Sequence, residues 1–182
     1  MTTLPSRYSL LLVVSLVIVV VDQATKVFIM YTMRLHESIP VIPGYFHLTY
    51  IRNPGAAFGI LASSSSAFRL VFFVFTAMIA LGLLGIIFFR LHPQDLWGQL
   101  TISSIFGGAI GNLLDRLRIG EVIDFLDVSV NGYHWPAFNV ADSAISIGVV
   151  SLLILFAVEK KNHEEPPPSP SASSETLQPK AD

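Results

Sequence analysis

Four apolar segments follow one another along the chain, at residues 8–31, 70–89, 96–114 and 141–158. About 20 apolar residues are enough for an α-helix to cross the hydrocarbon core of a bilayer. The second segment contains no charged residue, which makes it the clearest membrane span in the sequence. The pattern therefore predicts an α-helical integral membrane protein with four transmembrane helices.

The third segment differs from the other three because small and polar residues interrupt it. These residues are Gln99, Thr101, Ser103, Ser104, Gly107, Gly108, Gly111 and Asn112. A helix surrounded by lipid is not built from such residues, whereas glycines four positions apart let two helices approach closely. The third helix is therefore predicted to be the one most enclosed by protein.

Two stretches between the helices have the patterns of β-strands. Residues 45–52 (YFHLTYIR) are rich in aromatic and β-branched side chains. Residues 121–135 alternate around Asn131-Gly132, the favoured two-residue turn of a β-hairpin. Because unpaired strands cannot lie in lipid, we expect a small β-sheet outside the membrane.

Composition supports a membrane protein and argues against several other classes. The chain is 52% hydrophobic and 13% charged, whereas soluble domains are about 25% charged. A net charge of −2 without a basic run argues against nucleic-acid binding. Residues 162–182 are rich in proline, serine and glutamate, which predicts a disordered C-terminal tail after one membrane-embedded domain at 1–161.

Carboxylates between the third and fourth apolar segments are the candidate chemistry, because an ionised acid beside lipid loses hydration. Residues 111–143, which join these two segments, contain Asp115, Asp124, Asp127 and Asp142. Asp124 and Asp127 should leave their strand on opposite faces and so have different roles. Apolar neighbours on either side of Asp124 predict a raised pKa for its carboxyl group. We interpret Asp124 and Asp142 as a two-carboxylate hydrolytic site.

Structural interpretations compete with this one at several positions. Asn139 and Asp142 have the spacing of a capping box at a helix N-terminus, and Asp142 taken alone favours that interpretation. Asp22 and Lys26 lie four residues apart, as in a structural ion pair within a helix. For Asp115, the favoured interpretation is a surface ion pair with the residue that follows it.

The next residue, Arg116, shares a helical face with Asn112, and this pair is suited to holding backbone carbonyls or lipid phosphate. Two acids that share one proton can activate water and protonate a leaving amine. The five histidines lack the spacing of a metal-ligating motif, so no metal or cofactor is expected. The alternatives are a proton-coupled transporter or channel with buried acids, or a non-catalytic scaffold.

Five motifs carry a resemblance to a known family: DQATK at 22–26, NPGAAF at 53–58, GNLLDR at 111–116, VIDF at 122–125 and FNVADS at 138–143. In order and spacing they resemble prolipoprotein signal peptidase, also called signal peptidase II, across residues 9–158. This resemblance implies a bacterial inner-membrane aspartic endopeptidase with cytoplasmic termini and a β-cradle at the periplasmic face. It also implies cleavage on the amino side of the diacylglyceryl-modified cysteine of prolipoproteins.

The resemblance also implies residue roles. Asp124 and Asp142 would be catalytic, and no metal would be required. Substrate binding would fall to Asn53, Asn112, Arg116 and Asn139, and support to Asp22, Lys26 and Asp115. Membrane lipid and globomycin-type cyclic peptide inhibitors would be partners besides the substrate. Asp127 and the tail lie outside the family motifs, which assign them no role.

Overall fold

The computed structural model describes residues 7–55, 61 and 64–164. Residues 56–58 of the second motif and residues 165–182 of the predicted tail lie outside these ranges. The fourth helix continues to Glu164, which is three residues into the segment predicted as tail. The elements are α1 (Arg7–Thr32), β1 (Ser38–Ile42), β2 (Phe46–Asn53), α2 (Ser66–Arg90), α3 (Leu96–Ile119), β3 (Val122–Val130), β4 (Tyr133–His134) and α4 (Val140–Glu164).

Three of these helices are long and apolar enough to cross a membrane: Arg7–Thr32, Ser66–Arg90 and Val140–Val158. Most of their large apolar side chains are exposed on the outside of the bundle. Such a surface is stable in hydrocarbon and would aggregate in water. The molecule is therefore a multi-pass membrane protein. α3 falls outside this group because its polar residues lower its hydropathy.

α3 lies at the centre of the bundle and contacts α1, α2 and α4. Its glycines allow these contacts. A Cβ atom on Gly107 would lie 2.9 Å from the backbone of Ser15 in α1, and one on Gly108 would lie 2.5 Å from the carbonyl oxygen of Ala141 in α4. The Ser15 hydroxyl also donates a hydrogen bond to the Ser103 carbonyl, at 2.9 Å. The enclosure predicted for the third helix is confirmed.

The ends of α2 and α3 are set by local capping. The Ser65 side chain accepts the Phe68 amide at the start of α2, and Asp95 accepts the Gly98 amide at the start of α3. Gly120 ends α3 in the left-handed region, with φ of 76°. The chain turns there directly into β3, so the end of α3 lies against the sheet.

The sheet has four antiparallel strands in the order β1-β2-β3-β4. β3 and β4 form the predicted hairpin, in which Asn131 and Gly132 adopt positive φ angles of 51° and 80°. The predicted strand at 45–52 corresponds to β2, which pairs with β3. A cluster of Ile29, Met33, Tyr50, Ile123 and Phe125 packs the sheet against α1. The sheet is thereby fixed at one end of the helical bundle.

Candidate active site

Two buried carboxylates line one cavity at the junction of the sheet and the bundle. Asp124 is on β3 and Asp142 is in the first turn of α4. The cavity has a volume of about 670 Å³. Its other lining residues are Asn53, Trp135, Pro136, Ala137, Phe138, Ser143, Ser146 and Ile147. The two acids singled out in the sequence therefore face the same space.

Two side-chain amides hold Asp124. Its Oδ1 accepts a hydrogen bond from Asn139 Nδ2 at 2.8 Å, and its Oδ2 accepts one from Asn53 Nδ2 at 3.0 Å. Only 3% of the residue is exposed. Burial, and then the negative charge of Asp142, raise the pKa of Asp124 to about 7 against the opposing effect of the two hydrogen bonds. The predicted rise of this pKa is confirmed.

Asp142 and Asn139 form a reciprocal capping box at the start of α4. The Asn139 amide donates to Asp142 Oδ2 at 3.2 Å, and the Asp142 amide donates to Asn139 Oδ1 at 2.9 Å. The second carboxylate oxygen, Oδ1, accepts a hydrogen bond from Asn112 Nδ2 at 2.7 Å. The predicted capping box is confirmed, and the same carboxylate also borders the cavity.

Asn112 and Asn139 connect the two acids. Asn139 is completely buried, and its Nδ2 also lies 3.2 Å from Asn112 Oδ1. Asn112 Oδ1 accepts a further hydrogen bond from Lys26 Nζ at 3.0 Å. Because every one of these groups has a partner, the carboxylates are held in fixed orientations before any substrate arrives.

A buried ion-pair cluster supports the site from α1 and α3. Lys26 Nζ lies 2.8 Å from both Asp22 Oδ2 and Asp115 Oδ2, and all three side chains are at most 2% exposed. The predicted pair of Asp22 with Lys26 is confirmed. The surface pair expected between Asp115 and Arg116 is wrong, because Asp115 lies on the face of α3 that packs against α1.

Asp22 and Asp115 also accept backbone hydrogen bonds that join the helices to the site. Asp22 Oδ1 accepts the Ala141 amide at 2.9 Å, at the start of α4. Asp115 Oδ2 accepts the Ile123 amide at 3.3 Å, next to Asp124. The ion-pair cluster thus holds the chain immediately before each of the two acids.

Arg116 is turned away from its neighbour and holds the loop after β2. Its Nη2 donates to the Gly55 carbonyl at 2.8 Å, and its guanidinium lies 3.8 Å from the ring centroid of Phe73. The Gly55 amide donates to Asn53 Oδ1 at 3.0 Å, and Asn53 in turn contacts Asp124. Arg116 thus holds a backbone carbonyl of its own chain, and its contact with substrate or lipid stays a prediction.

Several residues of the site were not identified from the sequence. Phe73 lies in the uncharged second segment, where nothing distinguishes it from the other aromatic residues. Gln23 lies inside the first motif, and its Nε2 donates to Asp115 Oδ1 at 3.0 Å. Trp135 and Phe138 also line the cavity. Trp135 ends the predicted hairpin and Phe138 begins the fifth motif, but neither pattern gave the residue a role.

Asp127 lies outside this site. Its Oδ1 is 2.8 Å from His134 Nδ1, and its other oxygen accepts a hydrogen bond from Thr49. Within the described residues, a single group could hold a metal ion, formed by His47, Asp127 and His134. The spacing of the histidines gave no sign of it, because the three residues come from three different strands. Neither acid of the cavity belongs to this group.

Fold and site together define a multi-pass membrane enzyme in which two carboxylates line one cavity. The family model described as "Signal peptidase (SPase) II" matches residues 14–158. A solved structure titled as a bacterial membrane enzyme superposes with a TM-score of 0.77 at 36% identity, covering 87% of this chain and 94% of that one.

Named relatives agree with this match. The lipoprotein signal peptidase of Geobacter sulfurreducens is 54% identical over 135 residues, which cover 74% of this chain and 83% of that protein. Its counterpart in Syntrophotalea carbinolica is 48% identical over 149 residues, covering 82% and 91% respectively. The chain belongs to the signal peptidase II family, and it is therefore an aspartic protease. These matches give no support to the transporter alternative.

Proposed function

We propose that this protein removes the signal peptide from diacylglyceryl-modified prolipoproteins by cleaving on the amino side of the lipidated cysteine. Asp124 and Asp142 are the catalytic residues in this proposal. The observation that carries it is the single cavity between them, bordered by both carboxylates and bridged by the buried amide of Asn139. Family membership supplies the class of reaction and of substrate.

The different surroundings of the two acids support different roles. With a pKa of about 7, Asp124 retains a proton near neutral pH. Asp142 lies at the N-terminus of α4, where the helix dipole favours a negative charge. Asp142 would therefore act as the general base, and Asp124 as the general acid.

In the proposed reaction, Asp142 accepts a proton from a water molecule as the water oxygen attacks the scissile carbonyl carbon. A tetrahedral intermediate forms, with negative charge on the former carbonyl oxygen. Asp124 then gives its proton to the leaving nitrogen, and the C–N bond breaks to release the amine of the lipidated cysteine. The proton on Asp142 then passes to Asp124, directly or by exchange with solvent, which restores both acids before the next cycle.

The residues around the acids suggest how the substrate is held. Trp135, Phe138 and Ile147 give the cavity an apolar wall that suits acyl chains or an extended apolar peptide. Asn53 and Arg116 fix the loop after β2 beside Asp124. We infer that Asn53, Asn112, Arg116 and Asn139 position the substrate, while Asp22, Lys26 and Asp115 support them. A globomycin-type cyclic peptide would compete for the same cavity.

The proposed orientation in the bacterial inner membrane combines chain topology with what the family resemblance implies. The strands join the end of α1 to the start of α2, and the end of α3 to the start of α4. If α3 crosses the membrane together with the other three helices, both chain termini lie on the side opposite the sheet. We propose that this side is cytoplasmic, with the sheet and the cavity toward the periplasm. Residues 1–161 would form the peptidase domain, and 162–182 a separate tail.

Cleavage of a diacylated precursor by the purified protein tests the proposal. Asp124→Asn and Asp142→Asn should each lower kcat roughly a thousandfold or more, because each removes one proton-transfer group. Asp95→Asn is the matched control at the far end of α3, since asparagine caps a helix as well as aspartate does. Near-normal cleavage by either site variant would contradict the mechanism.

A further inference from the structure

Three side chains converge on the sheet at a place that the peptidase mechanism does not use. His47, Asp127 and His134 each offer one ligand atom, and these atoms lie within 4.8 Å of one another. The imidazole rings of the two histidines have centroids 5.7 Å apart. Along β3, Asp127 lies three residues from Asp124, so the two acids leave the strand on opposite faces.

Strand register explains how three residues distant in sequence meet. His47 on β2 is paired directly with Asp127 on β3, and His134 on β4 is paired with Ser129 on β3. Directly paired residues of antiparallel strands share a face, and so do residues two apart along one strand. The pairing therefore places both imidazoles and the carboxylate on the same face of the sheet.

Hydrogen bonds to the carboxylate fix its orientation. Thr49 Oγ1 donates to Asp127 Oδ2 at 3.1 Å, and the Thr49 oxygen lies 2.8 Å from Ser38 Oγ. The other oxygen, Oδ1, is directed toward His134 Nδ1 at 2.8 Å. One carboxylate oxygen is thus occupied by the protein, and the other faces the histidines.

The surroundings of His47 favour a ligand site over a simple ion pair between His134 and Asp127. An interaction of His134 with Asp127 would stabilise the hairpin without any third residue. His47 Nδ1, however, is buried and has no hydrogen-bond partner among the described residues. A buried polar atom without a partner carries a free-energy cost, because it has lost its hydration without gaining a hydrogen bond. A ligand held by the cluster would remove that cost if it also bound His47.

We propose that His47, Asp127 and His134 bind a divalent transition-metal ion of the Zn²⁺ class on the sheet, apart from the catalytic acids. Two imidazole nitrogens and one carboxylate oxygen are a ligand set that Zn²⁺ prefers, and three protein ligands leave one position for water. Ligand atoms around a tetrahedral zinc ion lie roughly 3.4 Å apart. The spread of up to 4.8 Å therefore closes by small side-chain rotations.

Such an ion would act as a structural link. It would join β2, β3 and β4, of which β4 is only two residues long and has few ladder hydrogen bonds of its own. Binding to the folded state alone raises stability by mass action. We therefore expect the ion to stabilise the hairpin that carries the cavity wall at Trp135 and Phe138.

Calorimetric titration with zinc chloride of the full chain, purified in detergent without a histidine tag and stripped by chelator, tests the site. We expect one ion per chain and a higher Tm with the ion bound. His134→Gln should weaken binding at least tenfold, and since this side chain is 53% exposed, the variant should fold normally. His47→Gln and Asp127→Asn should weaken binding to a similar extent.

His92→Gln is the matched control, because His92 is an exposed histidine in the connection between α2 and α3. It should bind zinc as the unmodified protein does. Failure to bind one ion, or equal affinity in the His134→Gln and His92→Gln variants, would overturn the proposal. Asp124→Asn and Asp142→Asn should bind zinc as the unmodified protein does, so failure of the metal site and failure of the proposed mechanism are distinguishable.

Discussion

Asn139 and Asp142 each donate a backbone amide to the other's side chain, at 3.2 and 2.9 Å. This reciprocal pair begins α4 and also holds one carboxylate at the edge of the cavity. The capping and catalytic interpretations of Asp142 therefore describe one arrangement. Removing the Asp142 side chain therefore removes the acid from the cavity and also removes part of the cap of α4.

Two substitutions at Asp142 should separate its roles. Asp142→Asn keeps an oxygen that can accept the Asn139 amide, so stability should change little while cleavage is lost. Asp142→Ala removes the acceptor as well, and should also lower the free energy of unfolding by about 1 kcal/mol. Denaturant unfolding in detergent together with a cleavage assay measures both effects. Equal stability of the two variants would show that the capping box contributes nothing.

The cleavage rate should fall as the pH rises above about 7. Asp124 has a pKa of about 7, and the proposed mechanism requires its protonated form. The measurement is kcat/KM for a diacylated peptide over the pH range 5 to 9. A rate that still increases beyond pH 8 would mean that Asp124 is not the acid that donates the proton.

Stability should depend on the same carboxyl group, and it too is greatest while that group is protonated. Because the pKa of Asp124 is raised from 3.8 to about 7, the folded state binds a proton that the unfolded state releases between these values. Stability therefore falls as the pH rises through this window, by up to about 4 kcal/mol, and is level above it. Asp124→Asn should raise Tm relative to the unmodified protein at pH 8 and not at pH 4. The same Tm difference at both pH values would contradict this account.

Lys26→Met should be strongly destabilising. It leaves Asp22 and Asp115 buried beside each other without their cation, which costs about 3–5 kcal/mol for a buried pair. Arg118→Met is the control, because Arg118 is exposed and makes one hydrogen bond to Gln23. Its effect on the free energy of unfolding should stay within about 0.5 kcal/mol. Similar unfolding curves for the two variants would show that the buried cluster is not a support of the fold.

Gly108→Ala should separate α3 from α4. The added Cβ would lie 2.5 Å from the Ala141 carbonyl oxygen, a backbone atom that cannot rotate away. We expect a loss of about 1–3 kcal/mol and reduced cleavage, because Asp142 follows Ala141 directly. Gly82→Ala in α2 is the matched control, since nothing lies within 4 Å of its Cβ position. That variant should be neutral or slightly more stable.

Local spacing predicted the parts of the structure that local interactions determine. The turn at Asn131-Gly132 and the box between Asn139 and Asp142 each depend on residues a few positions apart, so their patterns were informative. Asp115 was misinterpreted because the rotation of α3 about its axis decides whether that residue meets α1 or water. Asp115 continues the four-residue spacing of Gly107 and Gly111, and the surface interpretation did not use this sign of the rotation.

Contacts between distant elements could not be predicted from the sequence, because they depend on how whole helices and strands pack. Phe73 meets Arg116 only because α2 packs against α3 at that depth, and any of several phenylalanines could have taken the place. His47 and His134 are brought together by the register of three strands. A register is set by the packing of the whole sheet, and a shift of one residue would place these side chains on opposite faces.

The composition of α3 has a consequence for how the protein is made. Insertion of a segment by the translocon depends on its own apolarity, and acidic residues weigh heavily against it. α3 contains buried Gln99 and Asp115, whose side-chain partners lie on other parts of the fold. We expect α3 to enter the bilayer efficiently only alongside α1, which has been synthesised before it and already holds Lys26. A nascent chain without α1 would leave α3 at the membrane surface, open to quality-control proteases.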